Sequence, residues 1–329
     1  MISKYHWADM HCDSLLNAGR NGADLLWEGS GHQSLKEMSD SGQLLQFFAI
    51  FFPPSLAENE KTNDGEIIRT TEQDMDFFLR LRGILMDQLS AHADRAALAL
   101  TRQDVLDNAE KGLSSAMLTI EDGRILDGDL TRVSWLWEMG VRAVGLTWNC
   151  SNCLGHPNSP NPTENSRGLT PFGREVVLEM NRLGILVDVS HLSDGGFQDV
   201  AALSRKPFAA THSNARAVTN HPRNLTDEML KRLADCGGVT GLNFVPEFLN
   251  DRNLPGTVEM LMTHIRHIVR VAGEDVLGIG TDFDGFDEEQ EINHPSRMHL
   301  LFEAMEKEFT PHQIEKFASG NVLRLLGDL

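Results

Sequence analysis

Eight apolar, β-rich stretches punctuate this chain at spacings too long for hairpins, and amphipathic helical patterns fill most of the intervals. They are "YHWADMHC" (5–12), "LLQFFAIFF" (44–52), "SSAMLTIE" (114–121), "RAVGLTW" (142–148), "ILVDVSH" (185–191), "PFAATH" (207–212), "GVTGLNFV" (238–245) and "VLGIGTDF" (276–283). Helical segments include "TTEQDMDFFLRLRGILMDQLSAH", "PFGREVVLEMNRLG", "TDEMLKRLADCGG" and "TVEMLMTHIRHIVRVAG", several closing on a glycine suited to a helix C-terminus. Strands joined through helices pair in parallel, so this pattern predicts an α/β fold, the closed (β/α)8 TIM barrel. "ALAL" (97–100) is a candidate ninth strand. No interior stretch has the composition of a linker, and residues 1–329 read as a single barrel domain. The helix-forming "GNVLRLL" near the C-terminus is expected to pack against the barrel.

A barrel places its chemistry at the C-terminal ends of its strands. There the chain carries His11 and Asp13, then Glu121, His191, His212 and Asp282. In an extended strand His11 and Asp13 share a face and Cys12 takes the other. Alone, a His or Asp at a strand end reads as a hydrogen-bonded residue or a helix cap. Six such side chains from five strand ends argue for a metal site. Three histidines and three carboxylates suit two divalent cations, zinc above all, sharing a bridging carboxylate and water about 3.5–4 Å apart. The expected chemistry is metal-assisted hydrolysis. The loops at 53–66 and 153–170 follow strands and are candidates to grip substrate over this mouth.

Composition narrows the partners. Forty-eight acidic residues against 29 Lys and Arg give a net charge of -19, which disfavours nucleic acid and anionic membrane surfaces. No run of about 18 apolar residues or signal-peptide pattern is present, so a soluble, cytoplasmic protein is expected. Cys12, Cys150, Cys153 and Cys236 do not make a disulfide scaffold, and "CSNC" (150–153) reads as a loop with ordinary reduced thiols. His264 and His267 are expected to share a helix face. His6, His32, His92, His294, His299 and His312 have no visible partner, and Asp284 reads as the start of a turn.

The ordered motifs "MHCDSLL", "TIEDG" (119–123), "VDVSHLSD" (187–194), "ATHSNARAV" (210–218), "HPRNLTDEML" (221–230) and "GIGTDFDG" (278–285) resemble the renal (membrane) dipeptidase family of the amidohydrolase superfamily. The resemblance implies that His11 and Asp13 bind one cation, that His191 and His212 bind a second, and that Glu121 bridges them. It implies that Asp282 shuttles the proton from water to the leaving amine, and that Arg223 holds the substrate's terminal carboxylate. A small dipeptide, tolerated with a C-terminal D-residue, and a homodimer are further expectations from the family. One position departs: many members have His in "LTH" after the fourth strand, where this chain has Trp148. An indole donates one hydrogen bond and moves no proton. Trp148 is then a core aromatic or a pocket wall, and Asn149 or His156 are candidates to supply the missing donor. Two alternatives stay open: hydrolysis of another amide or ester, such as an N-acyl amino acid or a lactone, or a catalytically weak barrel that senses a metal or peptide.

Overall fold

The computed structural model describes residues 4–29, 31–53, 70–252 and 254–329. Its strands are β1 (Trp7–Cys12), β2 (Gln43–Phe51), β3 (Ala96–Leu98), β4 (Ser114–Glu121), β5 (Val141–Gly145), β6 (Leu186–Asp188), β7 (Ala209–Ala210), β8 (Val239–Leu242) and β9 (Leu277–Ile279). All pair in parallel, and β1 pairs with both β2 and β9. With β2 against β4 the ring closes through β5, β6, β7, β8 and β9. Eight strands therefore form the (β/α)8 barrel, and "ALAL" supplies the outlier: β3 pairs only with the first residues of β4, below the point where β5 joins.

Sequence chemistry sets the helices around it. Thr70 and Gln73 form a capping box that starts the helix Thr71–Ala91. Thr170 caps Pro171–Leu183, which ends at Gly184 in the left-handed region. Thr257 caps Val258–Ala272, whose apolar face packs on the barrel.

The barrel interior divides by depth. At the N-terminal end Ala8, Met10, Leu45, Phe47, Leu186 and Val239 form an apolar layer that Val322 and Leu325 of the helix Asn321–Gly327 join from below. The C-terminal segment thus plugs the bottom. At the other end the strands stop and polar side chains take over. The switch is visible in β1: Ala8 and Met10 belong to the inner layer, yet Cys12 lies in the outer core. Three steps from Asp9 to Cys12 run against two from Gln46 to Phe48 on β2. This extra residue is a bulge that inverts the alternation and turns His11 inward.

Candidate active site

Glu121, the last residue of β4, is buried, and its two oxygens face different partners. Oε2 lies 3.6 Å from His11 Nε2. Oε1 lies 2.9 Å from His191 Nε2 and 3.6 Å from His212 Nε2. His11 Nε2 is also 3.6 Å from Asp13 Oδ2 and 3.8 Å from Asp282 Oδ1. The six side chains expected at the strand ends therefore converge, all buried. Their backbones meet the demand unusually: His191 and Asp282 have φ of 65° and 64°, a region costly for residues with a Cβ.

These atoms fit divalent cations and fit each other poorly without them. The Asn149 amide oxygen accepts from His191 Nδ1 at 2.9 Å. The Thr211 hydroxyl donates to Asp188 Oδ2 at 2.6 Å, so it accepts from His212 Nδ1 at 2.8 Å. Both Nε2 lone pairs then face the site, 3.0 Å apart and beside Glu121 Oε1. Three acceptors converging without a donor call for a cation. On the other side His11 Nε2 and Asp13 Oδ1 are buried without a hydrogen-bond partner among the described residues. Spacings of 3.6 Å exceed hydrogen-bond length. They approach the roughly 3.4 Å between donors in a tetrahedral site with bonds of about 2.1 Å.

The electrostatics agree. Burial, then the repulsion of Asp13, pushes the Glu121 and Asp282 carboxyls up, and Asp282 adds to the rise of Glu121. Burial, then Arg223 and His11, hold His191 well below the usual imidazole range, and burial with the same neighbours does so for His212. Burial opposes a charge on His11, but Glu121 and Asp13 raise it well above that range. A buried, acid-rich cluster of this kind is relieved by positive charge.

The cluster opens into a cavity of about 640 Å³ lined by Phe51, Trp148, Asn149, Val245 and Phe248, with Glu247, Asp287 and Glu288 at its exposed rim. Trp148 is a cavity wall packed on Phe51, ring centroids 4.6 Å apart. Asn149 also lines the cavity, though its amide oxygen is committed to His191. His156 Nδ1 lies 2.8 Å from Ser151 Oγ. Arg223 is buried with its guanidinium 5.3 Å from the Phe248 ring centroid. It reaches Ser213 Oγ and His212 O only at 3.4 Å, and its Nε has no partner among the described residues.

Other polar residues of the chain take up varied places around the site. His32 and Asp284 line the cavity: Asp284 accepts from Ser14 Oγ, and His32 Nδ1 accepts from the Asp284 N–H. Among the described residues that line the cavity, none comes from the 153–170 loop. Asn158 instead donates from backbone and side chain to His191 O, so the loop braces a strand end. The 53–66 loop lies, from residue 54, outside the described residues. His264 and His267 serve separate partners, the Ala215 N–H and Asp227. Burial pushes the Cys150 and Cys153 thiols up, against a redox role. Asn243 was not marked by any motif, yet its Nδ2 donates to Asp282 Oδ2 at 3.0 Å.

A family model described as membrane dipeptidase, peptidase family M19, matches residues 1–329. The chain belongs to this family. A metallo peptidase from Rhodobacter sphaeroides, solved with a phosphinate mimic of the dipeptide L-Ala-D-Ala, superposes with a TM-score of 0.89. It is 31% identical, over 98% of this chain and 99% of that one. A crystallised dipeptidase of family M19 also superposes at 0.89, with 32% identity over 99% of each chain. Dipeptidase tcpJ of Claviceps purpurea is 28% identical over 304 residues, 91% of this chain and 70% of that protein. The motif resemblance holds, and by family the chain is a metal-dependent dipeptidase. Among the described residues no helix is long and apolar enough to cross a membrane.

Proposed function

We propose that this M19 member is a dinuclear zinc hydrolase that cuts the peptide bond of small dipeptides, including those with a C-terminal D-residue. The observation that carries the reading is the division of Glu121, one oxygen toward His11 and the other toward His191 and His212. His11 and Asp13 would hold one cation, His191 and His212 the other, with Glu121 between them. A pair of divalent cations bound there supplies Lewis acidity, polarising the scissile carbonyl and lowering the pKa of water.

The chain's own groups do the rest. Asp282 takes the proton of the attacking water and delivers it to the leaving nitrogen. Asn243 engages its Oδ2, which leaves Oδ1 toward His11 and the reaction space. Arg223, buried and short of acceptors, pairs with the substrate's carboxylate, where a planar guanidinium gives two parallel hydrogen bonds. Phe51, Trp148 and Phe248 form the apolar part of the cavity wall beside the site. Trp148 and Asn149 would contact substrate from the same wall.

The reading includes one catalytic unit over residues 1–329, a cytoplasmic setting supported by cysteine usage, and a homodimer supported by family resemblance. It is tested on the purified, zinc-loaded protein with L-Ala-L-Ala, L-Ala-D-Ala and their C-terminal amides. Dipeptide cleavage is expected, with Arg223→Met reducing kcat/KM about 100-fold or more on the free acids and leaving the amides little changed. Cleavage of none of them would refute the assignment. The aromatic wall of Phe51 and Trp148 favours one second reading, hydrolysis of N-acyl amino acids with the acyl chain on that wall. Faster turnover of N-acyl amino acids than of any dipeptide would establish it.

A further inference from the structure

Two buried aspartates outside the expected ligand set are engaged in the same way. Asp9 of β1 pairs in register with Ile279 of β9, and its carboxylate reaches the residue two positions further on. Its Oδ1 accepts from Thr281 N–H at 2.9 Å and from His11 N–H at 3.2 Å, and its Oδ2 accepts from the Thr281 hydroxyl at 2.6 Å. Asp188 of β6 pairs in register with Ala209 of β7. Its Oδ1 accepts from Thr211 N–H and Ser190 N–H, both at 2.9 Å, and its Oδ2 accepts from the Thr211 hydroxyl at 2.6 Å.

In each case the Asp sits on the strand that leads to a site histidine, His11 or His191. The Thr directly precedes a site residue on the neighbouring strand, Asp282 or His212. Each clamp therefore spans the two strands of one half of the site. Each half also holds one residue at positive φ, Asp282 or His191, whose backbone needs external support. Stability alone gives little reason for such pairs, because a buried polar pair exchanged for apolar groups of the same shape is often neutral. Holding ligands in place does give a reason.

We infer that Asp9–Thr281 and Asp188–Thr211 are two separate positioning clamps, each governing how tightly one of the two cation positions binds. The inference rests on the dinuclear reading above. The first clamp serves His11, Asp13 and Asp282. The second serves His191 and His212, and it does more: the Thr211 hydroxyl also fixes the His212 ring with its Nε2 lone pair inward. Thr281 has no such task and accepts from Phe283 N–H instead.

The test titrates chelator-treated full-length protein with buffered Co²⁺, read by visible absorbance. Wild type is expected to take up two equivalents. Thr281→Val should weaken one of them about 10–100-fold and leave the other intact, and Thr211→Val should weaken the other by at least as much. Asp13→Ala assigns the halves: in that background one equivalent remains, Thr281→Val changes it little, and Thr211→Val weakens it. Thr281→Ser and Thr211→Ser, which restore the hydroxyl, should bind as wild type. Circular dichroism checks the fold, and where a Val variant does not fold, Asp9→Asn or Asp188→Asn makes the same comparison. Val variants that weaken both equivalents alike, or neither, would overturn the clamps, as would Ser variants no better than Val. Uptake of no Co²⁺ by wild type would overturn the dinuclear reading itself.

Discussion

A methyl group at position 285 would collide with two carboxylates of the site. A Cβ built on Gly285 lies 2.6 Å from Asp13 Oδ2 and closer still to Asp282 Oδ1, well inside van der Waals contact. Gly285→Ala must therefore displace the Asp13 or the Asp282 carboxylate while leaving the distant core untouched. A shift of about 1 Å in a reacting group costs on the order of 100-fold in rate. Gly285→Ala is expected to lose at least that much kcat on L-Ala-D-Ala with an unchanged circular dichroism spectrum. Near wild-type turnover would show that the Asp13 and Asp282 positions are less constrained. At this scale the sequence was most informative about groups whose chemistry is singular: His11, Asp13, Glu121, His191, His212 and Asp282 stand at strand ends and meet in space. It was silent about groups whose role depends on a neighbour from another strand. Asp9, Asp188 and Asn243 look like any polar residue near a turn until the barrel closes and brings Thr281, Thr211 and Asp282 beside them. A threonine just before both His212 and Asp282 was the one local signal available.

Elements carry the second kind of constraint. His264 lies in the middle of Val258–Ala272, fully buried, and accepts the Ala215 N–H at 3.2 Å, three residues beyond His212. An acceptor role requires the neutral ring, and burial lowers its pKa to about 4. The folded chain therefore binds fewer protons here than the unfolded chain between pH 6.5 and 4. This contribution to stability is full above pH 6.5 and is lost as pH falls through 4, amounting to about 3 kcal/mol over that window. His264→Asn keeps an acceptor and removes the titration. Urea unfolding of the variant should lose about 3 kcal/mol less than wild type between pH 6.5 and 4, and equal losses would contradict the neutral-acceptor role. Helix ends were legible because Thr70, Thr170 and Thr257 cap by local chemistry. Strand lengths were not: β7 is two residues and β9 three, since His212 and Asp282 leave the ladder to meet across the mouth. The bulge in β1 was equally hidden, because it is defined by register with β2.

Across the whole molecule, stability and chemistry are separated along the barrel axis. The lower interior is filled by apolar side chains and closed by Val322 and Leu325, while the upper interior holds a buried, acid-rich cluster. The architecture itself was readable, since alternating strand and helix patterns leave few parallel solutions. The inward plug was not, because "GNVLRLL" has the same amphipathic pattern whether it covers a barrel wall or its base. This separation lets the bottom hold the fold while the top keeps ligand atoms that repel one another until cations arrive. Catalysis, rather than folding, is therefore expected to depend on the cations. The most direct test is L-Ala-D-Ala hydrolysis by chelator-treated protein as Zn²⁺ is added back in measured equivalents. Hydrolysis should be absent without zinc and should rise to its maximum at about two equivalents per chain, as expected when both metals of a two-metal site take part in catalysis. Full activity after chelation, or none with two equivalents bound, would show that the cations do not carry the reaction.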